Sequence, residues 1–197
     1  MTRRDLLLAG IAVPAAALGA TRETWRRQGL DKFGAGGPPS CDSSRKLTPA
    51  ADDKQFRPGS PERTAIAGPG SPGKVLHLSG AVIGIRCGAI KDAVVDVWQA
   101  DATGSFDATG FRLRGHQKTD VNGRYHFESI VPGIGAGHAR HVSLRAQPNG
   151  KSALTTMLFF PGDPSNANDP SVKPELVMKT TTEKDALVAT IDIVLDL

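Results

Sequence analysis

Short segments in which apolar and polar residues alternate dominate the chain after residue 73. Alternation with a period of two places every second side chain on one face of an extended strand, so the pattern predicts half-buried β-strands. The intervening loops 120–123, 147–150 and 161–164 are rich in Gly, Pro, Asn and Asp, which favour tight turns. The predicted strands are 75–83, 94–99, 112–114, 124–130, 141–146, 154–160 and 186–197. Such a succession of short strands predicts an all-β chain, folded as an antiparallel β-sandwich.

The N-terminal region predicts an exported protein. Residues 1–20 carry Arg3 and Arg4 and then an apolar run from Leu6 that ends in small residues, as in a twin-arginine signal peptide. An ordinary secretory signal is the alternative. Residues 21–45 predict a short helix and a Gly/Pro-rich linker, and 46–197 the sandwich, with 40–73 forming an extended arm on its surface. We therefore expect a periplasmic or extracellular protein whose mature form has no membrane span.

The charges and the cysteines restrict the partners and the redox state. Lys and Arg outnumber Asp and Glu by 24 to 20, but the positive charges are scattered, so no nucleic-acid partner is expected. Cys41 and Cys87 are the two cysteines of the chain. An oxidising compartment permits a disulfide between them, and two unpaired, partly buried thiols are the alternative.

Five blocks of sequence resemble a known family in their order and spacing. They are AVVDVWQADA at 93–102, LRG at 113–115, TDVNGRYHF at 119–127, PG at 132–133 and LTTMLFFPGD at 154–163. Together they resemble the core of the intradiol ring-cleavage dioxygenases, the catechol and protocatechuate enzymes. The resemblance implies the β-sandwich of that family and the Fe(III)-dependent cleavage of catechol-type aromatic compounds by O2. A small aromatic molecule is then the implied ligand, and an oligomer is compatible with the sequence.

The resemblance also locates the positions of the iron ligands, which in the family are two tyrosinates and two histidines. The first Tyr position falls on Phe106 and the second on Gly135, neither of which has an oxygen to donate. The first His position falls on His141, the single retained ligand, and the second on Ser143. An Arg that steers the substrate is replaced by His138. We therefore expect Fe(III) to be absent or weakly bound.

Other residues are candidates to replace the lost ligands. The chain contains one Tyr, Tyr125, which lies in a predicted strand, so we expect it to pack in the core. His138 and His141 lie three residues apart and converge only if a turn separates them. Candidate partners for a two-histidine, one-carboxylate site are His116, His126, Asp101 and Asp107. Arg114 in the LRG block is a weak candidate for steering an anionic group, with a structural ion pair as the alternative.

Two hypotheses about function follow. In the first, the protein is a diverged dioxygenase that holds a metal through His141 and improvised partners. In the second, it is a degenerate family member, a pseudoenzyme, whose sandwich serves as a non-catalytic binding module for an aromatic, sugar or protein ligand. The surface predicted for that ligand is formed by Phe106, Ile134, Gly135 and Ser143.

Overall fold

The computed structural model describes residues 45–86, 88–135 and 137–197. These residues belong to the second of two units into which the chain divides, 36–197. The predicted signal peptide, almost all of the predicted helix and linker, Cys41 and Cys87 lie outside the described residues, so these expectations remain predictions. No helix among the described residues is long and apolar enough to cross a membrane.

The described residues form an all-β fold, as predicted. Nine strands are joined by turns and two short 3-10 helices, Pro164–Asn168 and Pro174–Leu176. The strands are β1 Val75–Gly84, β2 Val94–Trp98, β3 Arg114–Lys118, β4 Arg124–Ile130, β5 His141–Gln147, β6 Leu154–Phe159, β7 Lys179–Glu183, β8 Ala186–Thr190 and β9 Ile193–Leu195.

The strands form two sheets, and most of their pairings are antiparallel. One sheet has the order β4-β1-β8-β7, with β9 also paired to β1, and the other has the order β3-β2-β5-β6. The antiparallel expectation needs one correction, because β1 pairs in parallel with both β8 and β9. The single strand predicted over 186–197 is in fact β8 and β9.

Two strand predictions were wrong for a shared reason. β7 was missed, and β3 covers Arg114–Lys118 instead of the predicted 112–114. Both are edge strands of their sheets with little apolar content, the sequences KTTTE and RGHQK. Their extended conformation comes from pairing with a neighbouring strand, which local alternation does not reveal.

The turn between β3 and β4 shows how the loop residues work. Gly123 N–H donates to Asp120 O at 2.9 Å, and the Asp120 carboxylate accepts from Asn122 N and Arg124 N at 2.8 Å each. Gly123 has a positive φ of 73°, which glycine adopts without steric cost. The predicted turn at 120–123 is confirmed.

The core lies between the inner faces of the two sheets. Alternate residues of β2 and β5 point into it, among them Val95, Val97, Val142 and Leu144. Tyr125 on β4 belongs to the same cluster, and its hydroxyl donates to Ile191 O at 2.8 Å. The expected structural role of Tyr125 is therefore confirmed.

The described part of the N-terminal arm, 45–73, runs over the sandwich in an extended form, as predicted. Its backbone bonds to both edges of the four-stranded sheet: Ala51 N donates to Thr155 O at 2.9 Å, and Arg63 N donates to His116 O at 3.0 Å. The arm therefore covers the outer face of this sheet, which would otherwise be solvated on that side.

Candidate functional site

The outer face of the four-stranded sheet carries the site residues that the sequence singled out. Because side chains alternate along a strand, burial of Val142 and Leu144 in the core turns His141 and Ser143 outward. Ser143 pairs with Trp98 on one side and Met157 on the other, and His141 pairs with Phe159. His141 and Ser143, the two positions that the resemblance assigns to histidine ligands, therefore share one face.

His141 is buried and held in one orientation. Its Nδ1 lies 2.7 Å from Ala139 O. Since a carbonyl oxygen only accepts, Nδ1 carries the hydrogen, and Nε2 of the neutral ring keeps its lone pair. Burial lowers the pKa of His141, although the bond to Ala139 and the charge of Asp53 oppose that shift. The imidazole is therefore stabilised in the form that can ligate a metal.

Ser143 is fully buried and bonded to a residue of the arm. Its hydroxyl donates to Asp53 Oδ2, which also accepts from Trp98 Nε1 at 3.0 Å. Asp53 was not singled out from the sequence, and no local pattern identifies it, because it lies 90 residues before Ser143. Ser143 therefore reaches no open surface, and its expected place in a ligand-binding concavity is wrong for this structure.

His138 and His141 do converge. His138 lies in the turn before β5, and the two ring centroids are 5.8 Å apart with an interplanar angle of 89°. His138 Nδ1 lies 3.2 Å from Asp169 Oδ2, and Asp169 also accepts from Ala139 N at 2.7 Å. Asp169 is a second residue that the sequence did not point to, since it follows a 3-10 helix about 30 residues downstream.

Phe106 and Gly135 also lie at this site, on two loops that pack backbone against backbone. The Phe106 ring centroid is 6.3 Å from that of His141. A Cβ placed on Gly135 would lie 2.0 Å from Gly104 O, so no larger residue fits there without movement of a loop. Ile134 beside it is exposed.

Arg114 is buried at the start of β3. It donates from Nη1 to Gln55 O at 2.6 Å and from Nη2 to Asp107 O at 3.4 Å, while its Nε is buried without a partner. Burial and the neighbouring Arg57 lower its pKa. In the described part of the chain no carboxylate forms an ion pair with it, so the expected structural ion pair is not seen there. Arg114 instead hydrogen-bonds to both the arm, at Gln55, and the 107–113 loop, at Asp107.

The remaining candidate ligands have other partners. His116 Nδ1 bonds Ser60 Oγ at 3.0 Å, and His126 is on β4 in the other sheet. Asp101 and Asp107 accept from backbone N–H groups of their own loops, 101–105 and 107–112. Across 45–86, 88–135 and 137–197, no three His, Cys, Asp or Glu side chains are grouped so that they could hold a metal.

Two shallow surface pockets lie away from these residues. One is beside Thr48 and Asp192, and the other is beside Arg140 and Thr180. Neither is lined by Phe106, Gly135 or His141. Within the polar cluster around His141, His141 itself and Ser143 are buried, whereas the side chain of His138 is partly exposed.

Comparison with known proteins identifies the fold's family. The sequence profile of a dioxygenase family matches residues 60–138. The dioxygenase domain of a dioxygenase and carbohydrate-binding protein fusion from the cellulolytic bacterium Streptomyces sp. SirexAA-E is 39% identical, with a TM-score of 0.75 over 77% of this chain and 99% of that domain. The chain belongs to the intradiol ring-cleavage dioxygenase family.

Other members of this iron-dependent family agree with the assignment. The protocatechuate 3,4-dioxygenase beta chain of Burkholderia cepacia is 32% identical over 153 residues, 62% of this chain. The structure of 3-chlorocatechol 1,2-dioxygenase from Rhodococcus opacus 1CP is 25% identical, with a TM-score of 0.63, over 71% of this chain and 68% of that one. The chain spans 65% of the length of the Burkholderia relative.

Proposed function

We propose that this protein is an exported intradiol dioxygenase homologue that does not carry out ferric ring cleavage, and that its sandwich acts as a non-catalytic binding module. The observation that carries the proposal is the count of phenol groups. The whole sequence contains one Tyr, whereas the family's site takes two tyrosinates. That one, Tyr125, is in the core with its hydroxyl bonded to Ile191 O, and burial raises its pKa.

The residues at the family's ligand positions do not fit a ferric ion. Fe(III) is a hard cation that favours anionic oxygen donors, and Phe106 and Gly135 supply none. At Gly135 the close approach of Gly104 O also leaves no room for a side chain. The Ser143 hydroxyl is hydrogen-bonded to Asp53, so His141 is the one imidazole left at the family's four ligand positions. Loss of a group that only orients a ligand weakens metal binding by about 10–100-fold, and here three direct ligands are replaced.

A second candidate function is retained dioxygenase activity, and family membership is the observation that favours it. The relatives are named for protocatechuate, catechol and chlorocatechol. Under this alternative a small aromatic diol is the substrate, and the metal is held by His141 with partners that differ from those of the family.

Export is part of the proposal and rests on the Arg3-Arg4 pair and the apolar run that follows it. Recovery of the protein from the periplasm or medium of a host that expresses the full chain is the expected result. Retention in the cytoplasm would contradict it.

The deciding experiment measures metal content and visible absorption of protein recovered after export, with the Streptomyces dioxygenase domain as a positive control. We expect no stoichiometric iron, no tyrosinate-to-iron charge-transfer band, and no oxygen uptake with catechol or protocatechuate. A Tyr125→Phe variant should match the wild type in all three measurements. One iron per chain together with cleavage of a catechol would refute the proposal.

A further inference from the structure

The two histidines beside the substituted ligand positions are arranged alike. In each ring, Nδ1 is hydrogen-bonded to an acceptor. The acceptor is Ala139 O at 2.7 Å for His141 and Asp169 Oδ2 at 3.2 Å for His138. Both acceptors take a hydrogen from Nδ1, so in the neutral rings Nε2 carries the lone pair. Fixing Nδ1 in this way orients an imidazole, as at metal sites in which a carboxylate or carbonyl supports the ligating His.

Asp169 is itself held in place for this role. Its carboxylate accepts from Ala139 N at 2.7 Å and from Ser171 N at 2.8 Å, and its side chain is 5% exposed. These hydrogen bonds hold the carboxylate of Asp169 in a fixed position opposite His138.

The distance between the rings lies within the limit for two imidazoles that share one ion. A metal bound at 2.0–2.1 Å from an imidazole nitrogen lies roughly 3.2 Å from that ring's centroid, so two rings on one ion have centroids at most about 6.4 Å apart. The centroids of His138 and His141 are 5.8 Å apart. The His138 side chain is 34% exposed, which gives an ion access from solvent.

We propose that His138 and His141 form a two-imidazole site for a borderline divalent cation, bound through the two Nε2 atoms, with Cu2+ preferred over Zn2+. Imidazole suits these ions, and Cu2+ is the tightest-binding divalent ion of the first row at a given nitrogen site. His141 is retained from the family's ligand set, whereas His138 stands where the family has a cationic Arg. The site therefore differs from the ferric one in its donors and in the ion that it favours.

Water completes the coordination in this proposal. Two phenyl rings lie beside His141 and have no atom that can bind a metal. The centroid distances from His141 are 6.3 Å to Phe106 and 5.9 Å to Phe159. No third His, Cys, Asp or Glu joins the pair within the described ranges. A site with two protein ligands exchanges its metal readily, so chelators should remove it. The inference goes beyond the proposed function and does not depend on it.

The experiment titrates Cu2+, and separately Zn2+, into the metal-free full chain by calorimetry, and records the electron paramagnetic resonance of the Cu2+ form. We expect one Cu2+ per chain with nitrogen hyperfine coupling from two imidazoles, and weaker binding of Zn2+. His138→Ala should weaken Cu2+ binding by at least about 10-fold and leave one coupled imidazole. Asp169→Asn should weaken it by about 10-fold through loss of orientation. His116→Ala is the matched control and should bind as the wild type does.

His138 is the preferred target because it is partly exposed, and thermal unfolding of each variant shows whether it is folded. A folded His138→Ala variant that binds Cu2+ as tightly as the wild type would overturn the proposal, as would a spectrum without two coupled imidazoles. A tyrosinate-to-iron band, by contrast, would overturn the proposed function and leave the Cu2+ titration to decide this site by itself.

Discussion

The two faces of the four-stranded sheet are built from the same strands but are stabilised in different ways. On the inner face, Val97 and Leu144 are buried among apolar side chains of the other sheet. On the outer face, Trp98 and Ser143 are just as buried, yet each donates a hydrogen bond to Asp53 of the arm. Neighbouring residues of one strand therefore depend on two different kinds of partner.

The two faces differ in how strictly their interactions depend on the positions of the partner atoms. Apolar packing on the inner face is non-directional and scales with the area removed from water. A buried hydroxyl or indole N–H on the outer face needs an acceptor at a defined position and is costly without one. A single substitution in the arm can therefore destabilise the outer face of the sheet, although the two are far apart in the sequence.

The largest effect is expected from truncation of the inner face. Leu144→Ala removes a fully buried side chain from the core and should lower the free energy of unfolding by about 2–5 kcal/mol. Leu47→Ala is the matched control, since Leu47 is 44% exposed and its truncation should cost much less. Denaturant unfolding of both variants measures the difference. Equal losses would mean that Leu144 is not in the core.

A smaller effect is expected from removal of the acceptor on the outer face. Asp53→Ala leaves the buried Ser143 hydroxyl and Trp98 indole without their shared partner, so stability should fall by roughly 1–3 kcal/mol. Asp52→Ala, at the exposed neighbouring position, should change stability by less than about 0.5 kcal/mol. In a Trp25→Phe background, which leaves Trp98 as the single Trp, fluorescence during unfolding reports on the same contact. If the two variants unfold at the same denaturant concentration, the arm does not hold the outer face in this way.

The smallest expected effect is a pH dependence of stability that comes from His141 on the outer face. Burial lowers the pKa of His141 in the folded state, so the unfolded chain takes up a proton first as the pH falls through about 6.5. The free energy of unfolding should therefore decrease on acidification, by at most about 1.4 kcal/mol per pH unit for this one group. The pKa of His126 is lowered by burial as well, and it contributes in the same direction.

His141→Asn isolates the contribution of His141. In chelator-treated protein, the variant should lose less stability than the wild type between about pH 7.5 and 5.5, because it retains only the contributions of the other groups. Denaturant titrations at a series of pH values measure the two slopes. Parallel slopes would show that His141 does not titrate differently in the folded and unfolded states.

Much of the fold was predictable from local patterns. Alternation identified β1, β2, β4, β5 and β6 within a few residues, because each has a buried inner face that imposes period two on its sequence. The edge strands β3 and β7 carry no such pattern and were misplaced or missed. At the candidate site, the resemblance pointed to Phe106 and His141 in advance, and their functional role stays a prediction. Asp53 and Asp169 lie in segments without any distinguishing pattern.

The sequence by itself determined the strand composition, the family resemblance and the presence of a single phenol group, since each of these is a matter of residue identity and local order. The tertiary structure decided that His138 meets His141, that Asp53 covers Ser143 and that Gly135 rests against Gly104. The pairing of strands and the path of the arm bring these residues together from distant parts of the sequence. Hydrogen bonds and close backbone contacts form only at defined distances. The one-dimensional pattern records which groups are available, and the fold sets the distances between them.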